Sequence, residues 1–456
     1  MKHHKIQAYL IPSSDPHQSE YVPECWKRRQ FMTGFTGSAG DALVTARMAG
    51  LWADSRYYLQ AERELRGSGF SLFKWGSAGV PNWREWAAGN LKPGETLGLD
   101  PWLINHQEYL KLKKGLGIRG VRIKSIESNL VDEIWKDRPA LPSEPVIVLA
   151  ERYSGESIRS KLGRLRRKMK AEGAAAHVIS QLDAVAWLFN IRGSDVQYNP
   201  VTVAYAIVAT TEAHLFIARE KTGEKVEAAL KKKVRFRDYG EFAGELRRLG
   251  AAKRRVWLDE SSVSQWIVDS LKGAELILKA SPVTFFKAVK NAAEIRGAKR
   301  AHRHDGAAMV KFFHWLERAV PKGGVTELTA VQKLEALRGL QPRFRGPSFS
   351  TISAYRSHAA VVHYSASLET DIPLKPAGIY LVDSGAQYLD ATTDITRTVA
   401  LGRPTAEQRD FFTRVLKGMI ALSAISFPGG TSGPQLDVLA RQALWKKGFN
   451  YGHGTG

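Results

Sequence analysis

The sequence predicts an α/β protein made of three successive regions. Three observations carry this prediction. Residues 6–140 alternate strand-like and helix-like runs, and the same order returns over residues 157–217. From residue 282 the pattern changes to a long helical stretch, then strands, then two further helices. Such alternation is the pattern of sheets covered by helices, here α/β passing into α+β. At 456 residues the chain is too long for one ordinary domain. Its 44% hydrophobic and 25% charged residues are the balance of a soluble globular protein with ample core.

In the first region, Ala42-Leu43-Val44-Thr45 and Gly50-Leu51-Trp52-Ala53 read as strands and residues 55–66 as a helix. Residues 136–145 are rich in proline and charge and read as a linker. The first domain is therefore bounded at 1–140 and the second at 146–281. In the second, residues 157–172 and 183–189 read as helices, and 174–179, 201–208 and 213–217 as strands. The shared order predicts two related domains. The third domain spans 282–456. A helical pattern over 291–320 is broken by Pro321-Lys322-Gly323-Gly324 and resumes over 326–338. Strands dominate from Ser348, and helices return at 406–426 and 434–448.

Lys and Arg number 67 against 45 Asp and Glu, a net charge of +22. An excess of this size can draw nucleic acid or acidic surfaces. It is clustered at residues 159–170, 231–237 and 247–255. In the first cluster, Ile158, Leu162, Leu165 and Met169 recur at helical spacing, so its basic residues are expected to coat one outer face. No aromatic residue interleaves that cluster as a base-stacking surface requires, so solvated faces are the plainer reading and no nucleic-acid partner is expected. The single cysteine, Cys25, excludes an intrachain disulfide. No apolar run approaches the roughly 18 residues that span a bilayer, and no signal-type apolar segment opens the chain. A cytoplasmic protein without a membrane partner is the expectation.

The sharpest local signal is a pair of β-rich runs, Ile379-Tyr380-Leu381-Val382-Asp383-Ser384-Gly385 and Thr392-Thr393-Asp394-Ile395-Thr396-Arg397-Thr398. Each carries one carboxylate near its middle. An antiparallel hairpin turning near Tyr388 would set Asp383 opposite Asp394, about 5 Å apart. Two such carboxylates repel, and a divalent cation between them removes the conflict. Hard oxygen donors suit Mn²⁺, Mg²⁺ or Co²⁺. The plainer reading is that each aspartate caps a turn or faces solvent. Asp390, between the runs, reads as a turn residue. His363 lies in the strand-like run Ala359-Ala360-Val361-Val362-His363-Tyr364, where a histidine is usually structural. His453 lies in Gly452-His453-Gly454-Thr455-Gly456, where flanking glycines permit close approach to a ligand but also describe an ordinary loop. There is no Gly-x-Ser-x-Gly elbow, phosphate loop, Cys-x-x-Cys or His-Glu-x-x-His site.

Together these segments resemble the Xaa-Pro aminopeptidases, in particular the long three-domain type. In the first domain the resemblance covers Ala8-Tyr9-Leu10-Ile11-Pro12-Ser13-Ser14-Asp15, His17-Gln18-Ser19-Glu20-Tyr21, Gly34-Phe35-Thr36-Gly37-Ser38-Ala39-Gly40 and Trp52-Ala53-Asp54-Ser55-Arg56-Tyr57. In the second it covers Leu182-Asp183 and Ala186-Trp187-Leu188-Phe189-Asn190-Ile191-Arg192-Gly193-Ser194-Asp195. In the third it covers Val361-Val362-His363-Tyr364, both aspartate runs and the glycine-flanked His453. It implies two creatinase-like N-terminal domains, a pita-bread catalytic domain, a homodimer and two divalent metal ions, most often Mn²⁺. The implied reaction removes the first residue of a peptide whose second residue is proline. The resemblance makes Asp383 a metal ligand and Asp394 a ligand bridging both ions. His363 would contact substrate or the tetrahedral intermediate, His453 would assist positioning and proton handling, and Arg56 would contact the peptide.

Two departures from the family pattern stand out. The second histidine of the His-Gly-x-Gly-His motif would follow Gly456, and it and two glutamate ligands are not in the sequence. The expectation is an incomplete chain of an ordinary member, inactive and poorly soluble by itself. In Asp54-Ser55-Arg56, serine stands where the family usually has glycine. Three alternatives remain. A metal-free pita-bread protein acting as a protein- or nucleic-acid-binding module is opposed by the four surviving polar residues. A creatinase is opposed by the aspartates, and a prolidase-type dipeptidase by the doubled N-terminal region.

Overall fold

Two six-stranded sheets of one topology occupy the N-terminal part of the chain. The computed structural model describes residues 1–230 and 233–454. Lys231 and Lys232 of the second basic cluster, and Thr455 and Gly456 of the terminal motif, lie outside the described residues. The first unit comprises Met1–Asp54, Ala61–His302 and Gln387–Thr392; the second comprises Ser55–Gln60, Arg303–Ala386 and Thr393–Gly456.

The first sheet is built from β1 (Ala8–Ile11), β2 (Asp41–Thr45), β3 (Ala49–Ala53), β4 (Ser71–Lys74), β5 (Thr96–Leu99) and β6 (Arg122–Ser125), in the order β4-β3-β2-β1-β5-β6. The second uses β7 (Ala176–Ile179), β8 (Ala204–Ala209), β9 (Ala213–Ile217), β10 (Arg235–Arg237), β11 (Arg255–Leu258) and β12 (Glu275–Leu278), in the order β10-β9-β8-β7-β11-β12. Strand for strand the pairings repeat. In each sheet the first strand runs antiparallel to the second and parallel to the fifth, the second antiparallel to the third, and the third and fourth, like the fifth and sixth, run parallel. The domains are therefore related in structure, although their sequences repeat weakly. A buried strand demands only apolar, β-favouring residues, and many sequences satisfy that.

Helix α1 (Ile158–Ala171) covers the second sheet and buries Ile158, Leu162, Leu165 and Met169 as its spacing predicts. Ser157 starts it by accepting from the Ser160 N–H at 3.2 Å. Arg159, Arg167, Lys168 and Lys170 are exposed. Lys161 departs from the expected outer coat and is 1% exposed. Its ammonium donates to the Trp187 carbonyl at 2.8 Å and Asn190 Oδ1 at 2.7 Å, and lies 3.9 Å from the Trp187 ring centroid. Burial lowers its pKa to about 8. The two sheets' domains meet through stacked Trp102 and Trp266, 3.5 Å between centroids, and through a bond of 2.8 Å between His106 and Gln265.

Helix α2 (Ala292–Ala319) runs as the long pattern predicts. Pro321 ends it in a short 3-10 turn, and Gly323 and Gly324 take φ of +82° and +79°. Thr326 then caps α3 (Glu327–Gly339). A three-stranded sheet, β13 (Ile352–Tyr355), β14 (Ile379–Ser384) and β15 (Ile395–Ala400), lies in the second unit. Tyr380 and Val382 pack with Phe312, Leu316 and Leu334. Helices α4 (Ala406–Ala424) and α5 (Gly433–Trp445) follow. They approach so closely that a Cβ on Gly418 would lie 2.1 Å from the Ala440 carbonyl oxygen. Among the described residues no helix is long and apolar enough to cross a membrane.

Candidate active site

Strand β14 alternates, with Tyr380, Val382 and Ser384 inward and Ile379, Leu381 and Asp383 on the opposite, half-buried face. Its register with β15 places Asp383 opposite Thr396, whose hydroxyl donates to the Asp383 carboxylate at 2.7 Å. Asp394 is therefore not directly across, as the sequence led one to expect. The turn falls at Leu389 and Asp390, shown by the pairs Gln387↔Thr392 and Tyr388↔Ala391. Moving the turn by one residue shifts the register by two, and a shift of two preserves the face. Asp394 thus remains a diagonal neighbour on the Asp383 face. Burial, and next the charge of Asp383, hold the Asp394 carboxyl above the usual range. Asp390 is the turn residue expected, and it pairs with Arg300 within the first unit.

A buried ion pair fixes the hairpin between the two aspartates. Arg338 Nε and Nη2 donate to Asp305 at 2.7 and 3.0 Å, and Arg338 Nη1 reaches the Gly385 carbonyl at 3.3 Å. The Thr393 hydroxyl donates to Asp305 at 2.8 Å and accepts from the Ala386 N–H at 3.0 Å. A Cβ on Gly385 would lie 2.1 Å from both Ser348 Oγ and the Thr393 carbonyl oxygen, so only glycine fits there.

His363 does not lie in a strand. A 3-10 turn over Arg356–Ala360 and a loop replace the expected run. The cause is Glu327, fully buried at the start of α3. Its carboxylate accepts from the Tyr355 N–H at 2.6 Å, His358 Nδ1 at 2.9 Å and the Tyr364 hydroxyl at 2.8 Å. These bonds draw residues 355–364 into a loop instead of letting them extend. His363 Nδ1 lies 2.6 Å from the Tyr57 hydroxyl, their rings set edge to face.

His453 comes to the same place, its ring centroid 5.9 Å from that of His363. Arg441 holds its loop, donating to the Tyr451 carbonyl and, at 2.7 Å, to the His453 carbonyl. The Ser55 hydroxyl donates to the Gly452 carbonyl. Arg56 is half-buried, with its guanidinium carbon 5.2 Å from the Tyr57 ring centroid.

The second unit therefore contains Asp383, Asp394, His363, His453 and Arg56. Sequence reasoning passed over Glu327, Arg338, Arg441 and the roles of Ser55 and Tyr57. Ser55 and Tyr57 stood inside a quoted motif, so a signal for them existed. The carboxylate pair is a hard-oxygen donor set with a built-in repulsion, which a divalent cation fits. Among the described residues no group of three or more His, Cys, Asp or Glu is placed to hold a metal.

The chain is similar to known families and proteins over its whole length. The Creatinase/Prolidase N-terminal domain family matches residues 1–134 and 137–294, and Metallopeptidase family M24 matches residues 296–456. Two creatinase-type domains ahead of a pita-bread catalytic domain define a three-domain metallopeptidase. A probable Xaa-Pro aminopeptidase P of Aspergillus fumigatus is 43% identical over 467 residues, covering 100% of this chain and 71% of its own length. Its counterpart in Paracoccidioides brasiliensis is 41% identical and is covered over 76% of its length. The crystal structure of an X-prolyl aminopeptidase from Caenorhabditis elegans, described as a cytosolic enzyme with a di-nuclear active site, superposes with a TM-score of 0.94. It is 38% identical, with 99% of this chain and 74% of that one covered. The chain belongs to the Xaa-Pro aminopeptidase P family of M24 metallopeptidases.

Proposed function

We propose that the protein removes the N-terminal residue from peptides with proline at the second position, using two divalent metal ions, Mn²⁺ by preference. The observation that carries this is the shared face of Asp383 and Asp394 on one hairpin. Asp383 is assigned as a ligand of one ion and Asp394 as the ligand bridging both. The ions would supply Lewis-acid activation of water and of the scissile carbonyl. The remaining work falls to the protein's side chains. With Tyr57 on Nδ1, His363 can offer Nε2 to the carbonyl oxygen or to the charge that develops there. His453, beside it, is assigned substrate positioning and proton transfer to the leaving proline nitrogen. Arg56 is assigned to the peptide. The Xaa-Pro bond is a tertiary amide without an N–H and restricts the preceding residue, so its recognition rests on shape and on carbonyl contacts.

The working protein is taken to be a cytoplasmic homodimer, with domains at 1–140, 146–281 and 282–456. The first test is hydrolysis by the full-length protein of an Xaa-Pro-Xaa tripeptide, an Xaa-Pro dipeptide and an Xaa-Ala-Xaa control. The tripeptide alone should be cut well. Chelator should abolish the activity and Mn²⁺ restore it. Asp383→Ala should lower kcat by roughly a thousandfold. Preference for the dipeptide would instead identify a prolidase, and activity indifferent to chelator would remove the metal reading.

A further inference from the structure

We propose that Ser55 and Tyr57 are positioning residues that set the two catalytic-site histidines against each other. The inference rests on the aminopeptidase reading of His363 and His453. The segment Ser55–Gln60 lies far from both histidines in sequence yet belongs to the second unit. Its residues reach each histidine by a different route. Tyr57, 1% exposed, places its hydroxyl 2.6 Å from His363 Nδ1. A tyrosine hydroxyl fixed on Nδ1 selects the ring's tautomer and rotamer, and so decides what Nε2 presents to substrate. Ser55 acts on the other histidine through the backbone, because its hydroxyl holds the carbonyl of Gly452, the residue before His453. With Arg441 holding the carbonyls of Tyr451 and His453, the terminal loop is fixed from two sides.

The two side chains have separable effects. Tyr57→Phe removes only the hydroxyl from a buried ring. It should lower kcat on an Xaa-Pro tripeptide about five- to tenfold, the size of one hydrogen bond, with KM changed less than about twofold. In a His363→Asn background the same substitution should cost almost nothing, because its route is gone. Ser55→Gly should lower kcat by about two- to threefold. Hydrogen–deuterium exchange supplies a readout independent of activity. Amides of residues 449–454 should exchange faster in Ser55→Gly, and those of residues 361–364 faster in Tyr57→Phe, with α1 unchanged in both. If the parent protein fails to cleave Xaa-Pro peptides, the functional reading falls, while exchange still tests the two contacts. If the parent is active, the proposal is overturned by a Tyr57→Phe loss that persists in full in the His363→Asn background. Unchanged exchange in both loops overturns it as well.

Discussion

Asp15 is the clearest case of a single buried group tuned by its surroundings. It is fully buried. One carboxyl oxygen accepts from the backbone N–H groups of His17 at 2.8 Å and Ser19 at 3.0 Å. Burial outweighs these bonds and raises its pKa from 3.8 to about 6. The sign follows from linkage. The folded protein keeps a proton that the unfolded chain releases, so the contribution to stability is complete below about pH 4. It is lost as the pH rises through about 6. Asp15→Asn resembles the protonated group and keeps an oxygen for both N–H groups. At pH 8 the variant should melt higher than the parent, by up to about 3 kcal/mol in stability. At pH 4.5 the two should nearly coincide. A variant less stable than the parent at pH 8 would show that the charged form is the one the fold prefers. His17, buried beside it, is driven the opposite way, to about 3, because burial penalises its cation. It therefore stabilises the fold above pH 6.5 and loses that contribution in acid.

The hairpin of Asp383 and Asp394 depends on packing that neither strand's sequence announces. Arg338, 2% exposed, makes the ion pair with Asp305 that also engages Gly385 and Thr393. Replacing one partner leaves the other charge buried, so Arg338→Met should cost about 3–5 kcal/mol in thermal or denaturant unfolding. Asp305→Asn with Arg338→Met together should cost less than the sum of the single changes, and simple additivity would deny the coupling. Glu327 holds the neighbouring loop, and Glu327→Gln turns an acceptor of three bonds into a group that must also donate. These residues also explain which parts of the molecule were legible. Periodicity located α1, α2 and β9, whose apolar spacing is local. The alternation of apolar residues around Asp383 fixed the shared face, which survives any register shift of two. It could not fix the partner residue, because the turn at Leu389 and Asp390 carries no glycine or proline to mark its centre. His363 was misplaced for a related reason. Six residues of strand-like sequence read as a strand until a glutamate from another element captures donors within and just before them.

Charge and apolar exposure act in opposite directions on the molecule as a whole. The net charge of +22 makes copies repel one another. Yet α4 and α5 carry Phe412, Val415, Met419, Ile420, Val438 and Trp445 with about half of each side chain exposed, and Phe427 beyond α4 is equally open. Apolar side chains gathered on adjacent helices form a patch that associates when repulsion is weakened. Salt weakens it, since the screening length falls to about 10 Å at 0.1 M. Residues 1–456 should therefore associate least at low ionic strength and increasingly as salt rises to about 0.5 M, with dye binding that reports exposed apolar surface. Phe412→Ser with Met419→Ser should suppress both. Binding to nucleic acid would show the reverse dependence, because it gains from released counterions and fades with salt. Light scattering along a salt gradient, with and without an oligonucleotide, separates the two. Association that decreases with salt, or that persists unchanged in the doubly substituted chain, would mean that charge and not the face of α4 governs how this molecule meets others.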